Sequence, residues 1–211
     1  MNKMKALEYK KAEEILANYD IPLCPGKLVL EEKEALAFAQ KTGYPLVVKL
    51  LSPLALHKTD LGLVITGIRN KKELIEVWQE LAARKIKKEG ILIQKQLSGI
   101  EIVVGMKRDC QFGPVLMFGL GGILVEVLQD VSFRIAPIKE KEAVEMIKET
   151  KAYKLISGFR GKKPVDVKKI SKLLISLSEL SLKENYIREI DFNPVIVNSQ
   201  GVWVADPRFL I

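Results

Sequence analysis

Residues 188–207 read Arg-Glu-Ile-Asp-Phe-Asn-Pro-Val-Ile-Val-Asn-Ser-Gln-Gly-Val-Trp-Val-Ala-Asp-Pro, and they predict a β-hairpin more clearly than any other part of the chain. Apolar residues alternate on both sides of the turn-forming loop Asn-Ser-Gln-Gly, a pattern typical of two antiparallel strands with a short connection. When Val197 is paired with Val202, the register places Asn193 directly opposite Asp206.

This register predicts a cation site on the hairpin. Directly opposed residues of antiparallel strands have Cβ atoms roughly 4.5–5.5 Å apart. An amide oxygen and a carboxylate at Asn193 and Asp206 would suit Mg²⁺, which usually takes one or two carboxylates together with phosphate oxygens. Asp191 lies two residues before Asn193 and therefore points to the same face. Spacing alone is equally compatible with a polar hairpin whose residues only favour turns.

The bulk composition is that of a globular protein. A chain of 211 residues can bury a real core and forms one domain or two small lobes. No apolar run approaches the length of a membrane span, and the N-terminus lacks a hydrophobic signal core. Cys24 and Cys110 are far apart without metal-ligand spacing, so we expect reduced thiols in a cytoplasmic protein.

The net charge of +8 allows two interpretations. A basic face could bind nucleic acid. Alternatively, Lys and Glu crowd the surface in ion-pair networks. Charges alternate in sign along residues 73–88 and 139–151, and no aromatic residues interleave with a basic cluster. The pattern favours a solvated surface over a nucleic-acid or membrane partner, and an anionic small-molecule substrate would also suit the charge.

The order of predicted elements indicates two lobes. Helices and strands alternate in the first part of the chain, whereas strands follow one another from Ile91 onward, with helices after them. We therefore predict an α/β lobe over residues 1–95, a mostly antiparallel lobe with helices on one side over residues 96–211, and a ligand cleft between them. The predicted helices are 3–19, 31–42, 71–88, 140–150 and 166–184, and the predicted strands before the hairpin are 45–50, 63–68, 91–95, 101–107, 114–118 and 133–138.

Lys49 and His57 are the candidate phosphate-handling residues of the first lobe. Lys49 lies in a strand that is otherwise Leu and Val, so its ammonium group must meet an anion or reach water. It is either a phosphate ligand or an edge-strand lysine that extends to solvent. His57 is the single histidine of the chain, in the loop that follows. Its nitrogen could be a nucleophile, although a lone surface histidine is usually unremarkable.

Two further segments are weaker candidates. The segment Gln94–Leu97 joins the lobes and could offer backbone groups to a purine edge. Glu101 begins an apolar strand and could bind a ribose hydroxyl, a metal or water. The Gly-rich run over residues 118–126 could bring amide groups to phosphate, but a tight turn explains it equally well. It matches neither the dinucleotide fingerprint nor the P-loop pattern.

As an ordered set these features resemble the ATP-grasp fold, and more narrowly the β subunit of ADP-forming acyl-CoA synthetases of the acetate–CoA ligase type. The resemblance spans nearly the whole chain. It is carried by Gly43-Tyr-Pro-Leu-Val-Val-Lys49, Leu56-His-Lys-Thr-Asp-Leu-Gly62, Phe112-Gly-Pro-Val-Leu-Met-Phe-Gly-Leu-Gly-Gly122, Asp130-Val-Ser-Phe-Arg-Ile-Ala-Pro137 and Glu189-Ile-Asp-Phe-Asn-Pro194. Where a Gly-Gly pair is expected after Asp60, this chain has Leu61-Gly-Leu63.

The resemblance implies a role for each candidate residue. His57 would relay phosphate as a phosphohistidine, reversing the low expectation from the histidine alone, and Asp191 would orient it. The resemblance implies Mg²⁺ at Asn193 and Asp206. It implies ATP or ADP contacts at the remaining candidates, which are Lys49 for the phosphates, Gln94, Lys95 and Leu97 for the adenine, and Glu101 near the ribose or phosphates.

The implied reaction is acyl-CoA + ADP + phosphate ⇌ acid + CoA + ATP. The chain shows no recognisable CoA-binding domain, so the resemblance implies an α subunit that carries the CoA and acyl-transfer sites, in an α₂β₂ assembly. Three alternatives stay open: another ATP-grasp ligase subunit resembling succinyl-CoA synthetase, a nucleotide-binding module without turnover, and a basic nucleic-acid binder.

Overall fold

The computed structural model describes residues 5–52, 61–122, 130–158 and 164–211. Within this part the chain divides into two compact units. The small unit is Cys24–Leu97, and the large unit combines Met1–Leu23 with Ser98–Ile211. Each unit has its own hydrophobic core.

The small unit is a four-stranded antiparallel sheet with the order β1-β4-β2-β3. Two helices pack on one face of it, because Ala39 of the first helix and Trp78 of the second share a buried cluster with strand residues such as Val48 and Ile93. Gly43 ends the second helix of the chain with φ +74°, a backbone angle that favours glycine. The elements are β1 (Gly26–Val29), α2 (Glu32–Thr42), β2 (Leu46–Leu51), β3 (Val64–Ile68), α3 (Lys71–Ala82) and β4 (Gly90–Lys95).

The large unit is a six-stranded antiparallel sheet with the order β10-β8-β5-β6-β7 and with β9 paired to β8. Its helices cover one face, where Leu174 and Leu177 share a buried cluster with Ile102, Val104 and Phe118. The large unit is thus an antiparallel sheet with helices on one face. The elements are α1 (Tyr9–Asn18), β5 (Ile100–Asp109), β6 (Gly113–Leu120), β7 (Val131–Ile135), α4 (Glu140–Lys148), α5 (Ala152–Ile156), α6 (Val167–Lys183), β8 (Glu189–Val197), β9 (Val202–Val204) and β10 (Pro207–Leu210).

The division differs from the predicted lobes 1–95 and 96–211 in the placement of the N-terminus. The predicted helix over 3–19 begins only at Tyr9. Before it, the Lys5 and Leu7 N–H groups each donate to carbonyls of the last strand region, Ile211 O and Phe209 O, at 3.0 Å. Because the N-terminal segment extends the edge of the large sheet, residues 1–23 belong with the C-terminal part of the chain.

Three further local differences have simple causes. The predicted helix 71–88 ends at Ala82, because the segment 85–89 contains a single apolar residue, Ile86. Strand β1 was missed because it follows a Pro-rich turn, and α5 was missed because it has only five residues. No helix in the described ranges is long and apolar enough to cross a membrane.

Candidate functional site

The predicted hairpin register is present in the large unit. Strand β9 pairs with β8 so that Val202 lies opposite Val197, and β10 pairs with β8 so that Pro207 lies opposite Phe192. Both ladders keep the same register across the bend that separates them. Asn193 and Asp206 consequently occupy opposed positions between the two ladders. The Ala205 N–H donates to Pro194 O at 3.0 Å, and this hydrogen bond joins the two paired segments of the chain at the bend.

A glycine turn holds the amide of Asn193. The Gly122 N–H donates to Asn193 Oδ1 at 3.1 Å, although the two residues are 71 positions apart in the chain. An amide oxygen has two lone pairs, so this bond leaves one for a cation. The Gly-rich run was expected to be either a phosphate loop or a tight turn. In the described part of this run, strand β6 ends at Leu120, and the turn that follows at Gly121 and Gly122 contacts the candidate metal ligand.

The same turn lies against Glu101. The Gly121 N–H donates to the Glu101 carbonyl at 2.9 Å. Gly122 has φ +65°, and a Cβ at this position would collide with Glu101 Oε2. The Glu101 side chain is exposed at the start of β5. The turn therefore brings Glu101 and Asn193, which lie on different strands, to the same place in the large unit.

Asp191 lies on the sheet face opposite the helices. Ile190 and Phe192 on either side of it are in the buried core, so alternation directs Asp191 away from that core. This face carries a cavity of about 570 Å³ that Asp191 and Asn193 help to line. Apolar residues form much of the remaining lining, among them Val103, Val115, Met117 and Phe133.

Lys49 is buried within the small unit. Its strand β2 lies between β4 and β3, so the alternative of an edge-strand lysine is wrong. The side chain is 6% exposed, and it lies on the face away from α2 and α3 because Val48 and Leu50 face the core. Burial raises the pKa of the nearby Cys24 thiol to about 11, and the positive charge of Lys49 opposes this rise. Lys49 is therefore a buried ammonium group on the sheet face opposite the two helices.

Gln94 shares the face of Lys49, since Gln94 lies opposite Val47 and Lys49 lies two residues further along the strand. Gln94 is 2% exposed. The Lys95 ammonium is engaged within the small unit, because Nζ donates to Tyr44 O at 3.0 Å and to Thr42 O at 3.4 Å. Any contact between this ammonium and a nucleotide would have to displace these two bonds.

The backbone after β4 is partly engaged as well. The Lys95 and Gln96 N–H groups donate to Pro25 O at 2.8 Å and Pro45 O at 3.1 Å. The Leu97 N–H, by contrast, makes no hydrogen bond with any described residue. Of the predicted adenine-binding segment, Leu97 is thus the residue whose amide remains to meet a ligand.

His57 and the loop around it lie outside the described residues. In the described ranges, no three His, Cys, Asp or Glu side chains cluster in a way that could hold a metal ion. A pair of oxygen donors still fits Mg²⁺, because this cation keeps several waters and binds nucleotide phosphates. Asn193 and Asp206 provide that kind of pair.

The family profile described as an ATP-grasp domain matches residues 1–211. The chain belongs to the ATP-grasp family. The chain is also 42% identical over 208 residues to the β subunit of the ADP-forming acetate–CoA ligase I of Pyrococcus furiosus, with 95% of this chain and 90% of the relative covered. It is 44% identical over 203 residues to the ADP-forming acetate–CoA ligase I of Archaeoglobus fulgidus, covering 93% of this chain but 30% of that longer protein.

A solved structure agrees with these relatives. The ATP-grasp chain superimposes with a TM-score of 0.86 and 39% identity on the acetyl-coenzyme A synthetase 1 of Candidatus Korarchaeum cryptofilum, with 98% and 93% of the two chains covered. That protein was solved with coenzyme A and Mg-AMPPCP, its phosphohistidine segment pointing towards the nucleotide-binding site. The predicted fold and the resemblance to ADP-forming acetate–CoA ligase β subunits are confirmed, and with them the ligase class of the enzyme.

Sequence reasoning missed one charged residue beside this site. Arg208 follows the Asp206-Pro pair and lies directly opposite Asp191 on β10. The predicted hairpin ends at Pro207, so the sequence pattern does not predict strand β10, which carries Arg208. Its alternation of Pro, Arg, Phe and Leu is a short strand signal that could have revealed it.

Proposed function

We propose that this ATP-grasp chain is the nucleotide-binding β subunit of an ADP-forming acyl-CoA synthetase. Together with an α subunit it would catalyse acyl-CoA + ADP + phosphate ⇌ acid + CoA + ATP. The observation that carries this proposal is that Asn193 and Asp206 lie opposite each other, on the same face as Asp191. The chain that holds them is similar along nearly its whole length to such a ligase subunit.

Asn193 and Asp206 would hold Mg²⁺ through an amide oxygen and a carboxylate. The fit rests on the donor chemistry and on the Gly122 N–H, which orients the Asn193 amide from the other side. Mg²⁺, when bound, would neutralise the negative charge that develops on the transferring phosphoryl group. The nucleotide itself would bind as Mg·ATP or Mg·ADP.

The other nucleotide contacts follow from burial and backbone availability. Lys49 would meet the phosphates, because its ammonium group is buried on the sheet face opposite the two helices and carries the positive charge that phosphate oxygens attract. The Leu97 N–H would bind the adenine edge, with Gln94 and the Lys95 backbone beside it. Glu101, exposed at the start of β5, would accept hydrogen bonds from the ribose or lie near the phosphates.

His57 would carry phosphate between the α subunit and ADP. A nitrogen of its imidazole takes the phosphoryl group from the phosphohistidine of the α subunit, whose P–N bond breaks as the new one forms. In the next step a β-phosphate oxygen of ADP attacks the same phosphorus, the P–N bond to His57 breaks, and ATP forms. Asp191 would accept the N–H of the imidazole and hold the ring in the reactive orientation.

The partner follows from the relatives and from the reaction. The name of the Pyrococcus relative makes it one subunit of its enzyme, and the Archaeoglobus relative is a longer single chain. We expect a separate α subunit with the CoA and acyl-transfer sites, in an α₂β₂ assembly. The proposed compartment is the cytoplasm, where ATP and CoA are available, and the reaction requires neither nucleic acid nor membrane.

Phosphate transfer tests the proposal directly. The chain is incubated with its α subunit, Mg²⁺ and γ-³²P-ATP, and acid-labile label is measured on each chain for the wild type and for His57→Asn. We expect label on both wild-type chains and on neither chain of the variant mixture, because ATP reaches the α subunit only through His57. Unchanged labelling of the α subunit by His57→Asn would exclude the relay and leave a simpler nucleotide-binding subunit.

A further inference from the structure

Pro25 lies beside the proposed adenine-binding segment, just before the edge strand of the small sheet. Strand β1 begins at the next residue, Gly26, and is the outer neighbour of β4. Gly26 lies opposite Gln94, and a Cβ at Gly26 would come within 2.7 Å of the Gln94 side chain. The two strands therefore approach closely here, and the same register places Pro25 opposite Lys95.

A single hydrogen bond joins Pro25 and Lys95, where an antiparallel pair of this kind normally exchanges two. The Lys95 N–H donates to Pro25 O at 2.8 Å. The N–H and C=O groups of one strand residue point to the same neighbour, so the Lys95 carbonyl faces the Pro25 nitrogen, which carries no hydrogen. No described residue donates a hydrogen bond to this carbonyl. Lys95 O is therefore an acceptor that the ladder leaves unused.

Leu97 adds a donor on the same side of this segment. It lies two residues after Lys95, and backbone groups two residues apart along a strand face the same neighbour. Its N–H makes no hydrogen bond with any described residue. Gln96 lies between them and faces the other way, where its N–H donates to Pro45 O at 3.1 Å. The side of the segment toward β1 thus offers an acceptor at Lys95 and a donor at Leu97.

This acceptor and donor match the edge of adenine and mismatch that of a 6-oxopurine. Adenine has an amino group at C6, which can donate to Lys95 O, and a bare nitrogen at N1, which can accept from the Leu97 N–H. Guanine and hypoxanthine have an oxygen at C6 and an N–H at N1, so acceptor would face acceptor and donor would face donor. Such mismatches discriminate between ligands, because they leave polar groups unpaired.

We propose that Pro25 makes the chain selective for adenine over 6-oxopurine nucleotides, because it withholds the N–H that would otherwise bind the Lys95 carbonyl. The inference rests on the proposed function and adds the base specificity of the nucleotide site. Pro25 is a positioning residue, since it acts through Lys95 O. A carbonyl that already accepts a ladder bond gains less from the amino group of adenine and repels a C6 oxygen less.

The test is calorimetric titration of the full chain with Mg·ADP and with the Mg²⁺ complex of inosine diphosphate, whose base carries the C6 oxygen. We expect the wild type to prefer ADP. Pro25→Ala should reduce the ratio of the two affinities by at least about 3-fold, the effect of one hydrogen bond of modest strength. Pro114→Ala is the matched control, because Pro114 forms the same kind of one-sided pair in the large unit, where the Ala136 N–H donates to its carbonyl at 2.9 Å. This control should keep the wild-type ratio.

The affinity ratio separates base specificity from structural damage, because both nucleotides are titrated into the same variant. An unchanged ratio in Pro25→Ala, whether both affinities fall or neither does, would show that the missing N–H does not set the specificity. A wild type that binds both nucleotides equally well would overturn the inference and leave the proposed nucleotide site intact. A wild type that binds neither nucleotide would refute the proposed function itself.

Discussion

At the scale of single residues, Asp206 is the side chain whose predicted role is tested most simply. Asp206→Asn keeps the size of the side chain but removes the negative charge opposite Asn193. We expect at least about a 10-fold loss of Mg·ADP affinity in calorimetric titration, since even residues that only support metal ligands contribute this much. Asp20→Asn is the matched control, because Asp20 is exposed and its φ of +54° is one that asparagine tolerates. Equal losses in both variants would contradict a metal-binding role for Asp206.

Cys24 gives a residue-scale prediction about pH. Burial raises the pKa of its thiol from 9.0 to about 11, so the folded chain keeps the thiol proton that the unfolded chain loses. The stabilisation is complete below pH 9 and is lost as the pH rises toward 11, by up to roughly 2 kcal/mol in the free energy of unfolding. Denaturant unfolding at several pH values should show that the free energy of unfolding falls less steeply with rising pH in Cys24→Ala than in the wild type. Cys110→Ala should leave the slope unchanged, because Cys110 is exposed.

At the scale of elements, the Gly121–Gly122 turn joins β5 to β8 through Glu101 and Asn193. Gly122→Ala would place a Cβ where the Glu101 carboxylate lies and would disfavour the φ of +65° at which the Gly122 N–H reaches Asn193. We expect lower affinity for Mg·ADP in addition to a loss of about 1–2 kcal/mol of stability from the positive φ.

Gly113→Ala is the matched control for this substitution. Gly113 has a similar φ of +74°, but a Cβ there has no neighbour within 4 Å. It should lose a similar amount of stability while retaining full nucleotide affinity. If calorimetric titration gives both variants the affinity of the wild type, the turn does not position Asn193.

The elements also show which parts of the fold were visible in the sequence. Local patterns were sufficient where the turn and the apolar alternation agree, and the pairing of Val197 with Val202 is an example. They failed where a partner is distant. The pairing of Ala6 with Leu210 joins the two ends of the chain, and nothing near Ala6 reveals it.

The site was predictable from the sequence only in part. Lys49, Asp191 and Asn193 were indicated because polar side chains in otherwise apolar strands cost free energy unless they have a binding partner. The bond from Gly122 to Asn193 and the unsatisfied Nε of Arg208 depend on side-chain positions that no spacing rule describes. Long-range backbone contacts and unsatisfied buried donors therefore had to come from the structure.

At the scale of the whole molecule, the proposed function assigns one half of a reaction to this chain. The proposed nucleotide contacts Lys49 and Leu97 belong to the small unit. The proposed Mg²⁺ ligands Asn193 and Asp206 belong to the large unit, with Asp191 on the same strand as Asn193. The proposed relay assigns the CoA and acyl chemistry to the α subunit. This division predicts that the chain binds nucleotide alone but turns over only in the complex.

The most direct measurement is the formation of ATP from acetyl-CoA, ADP and inorganic phosphate, with the chain alone, its α subunit alone and the two combined. We predict ³²P from inorganic phosphate in ATP only for the combination, and none when the chain carries His57→Asn. ATP formed by the chain alone, or by the combination with His57→Asn, would contradict the account.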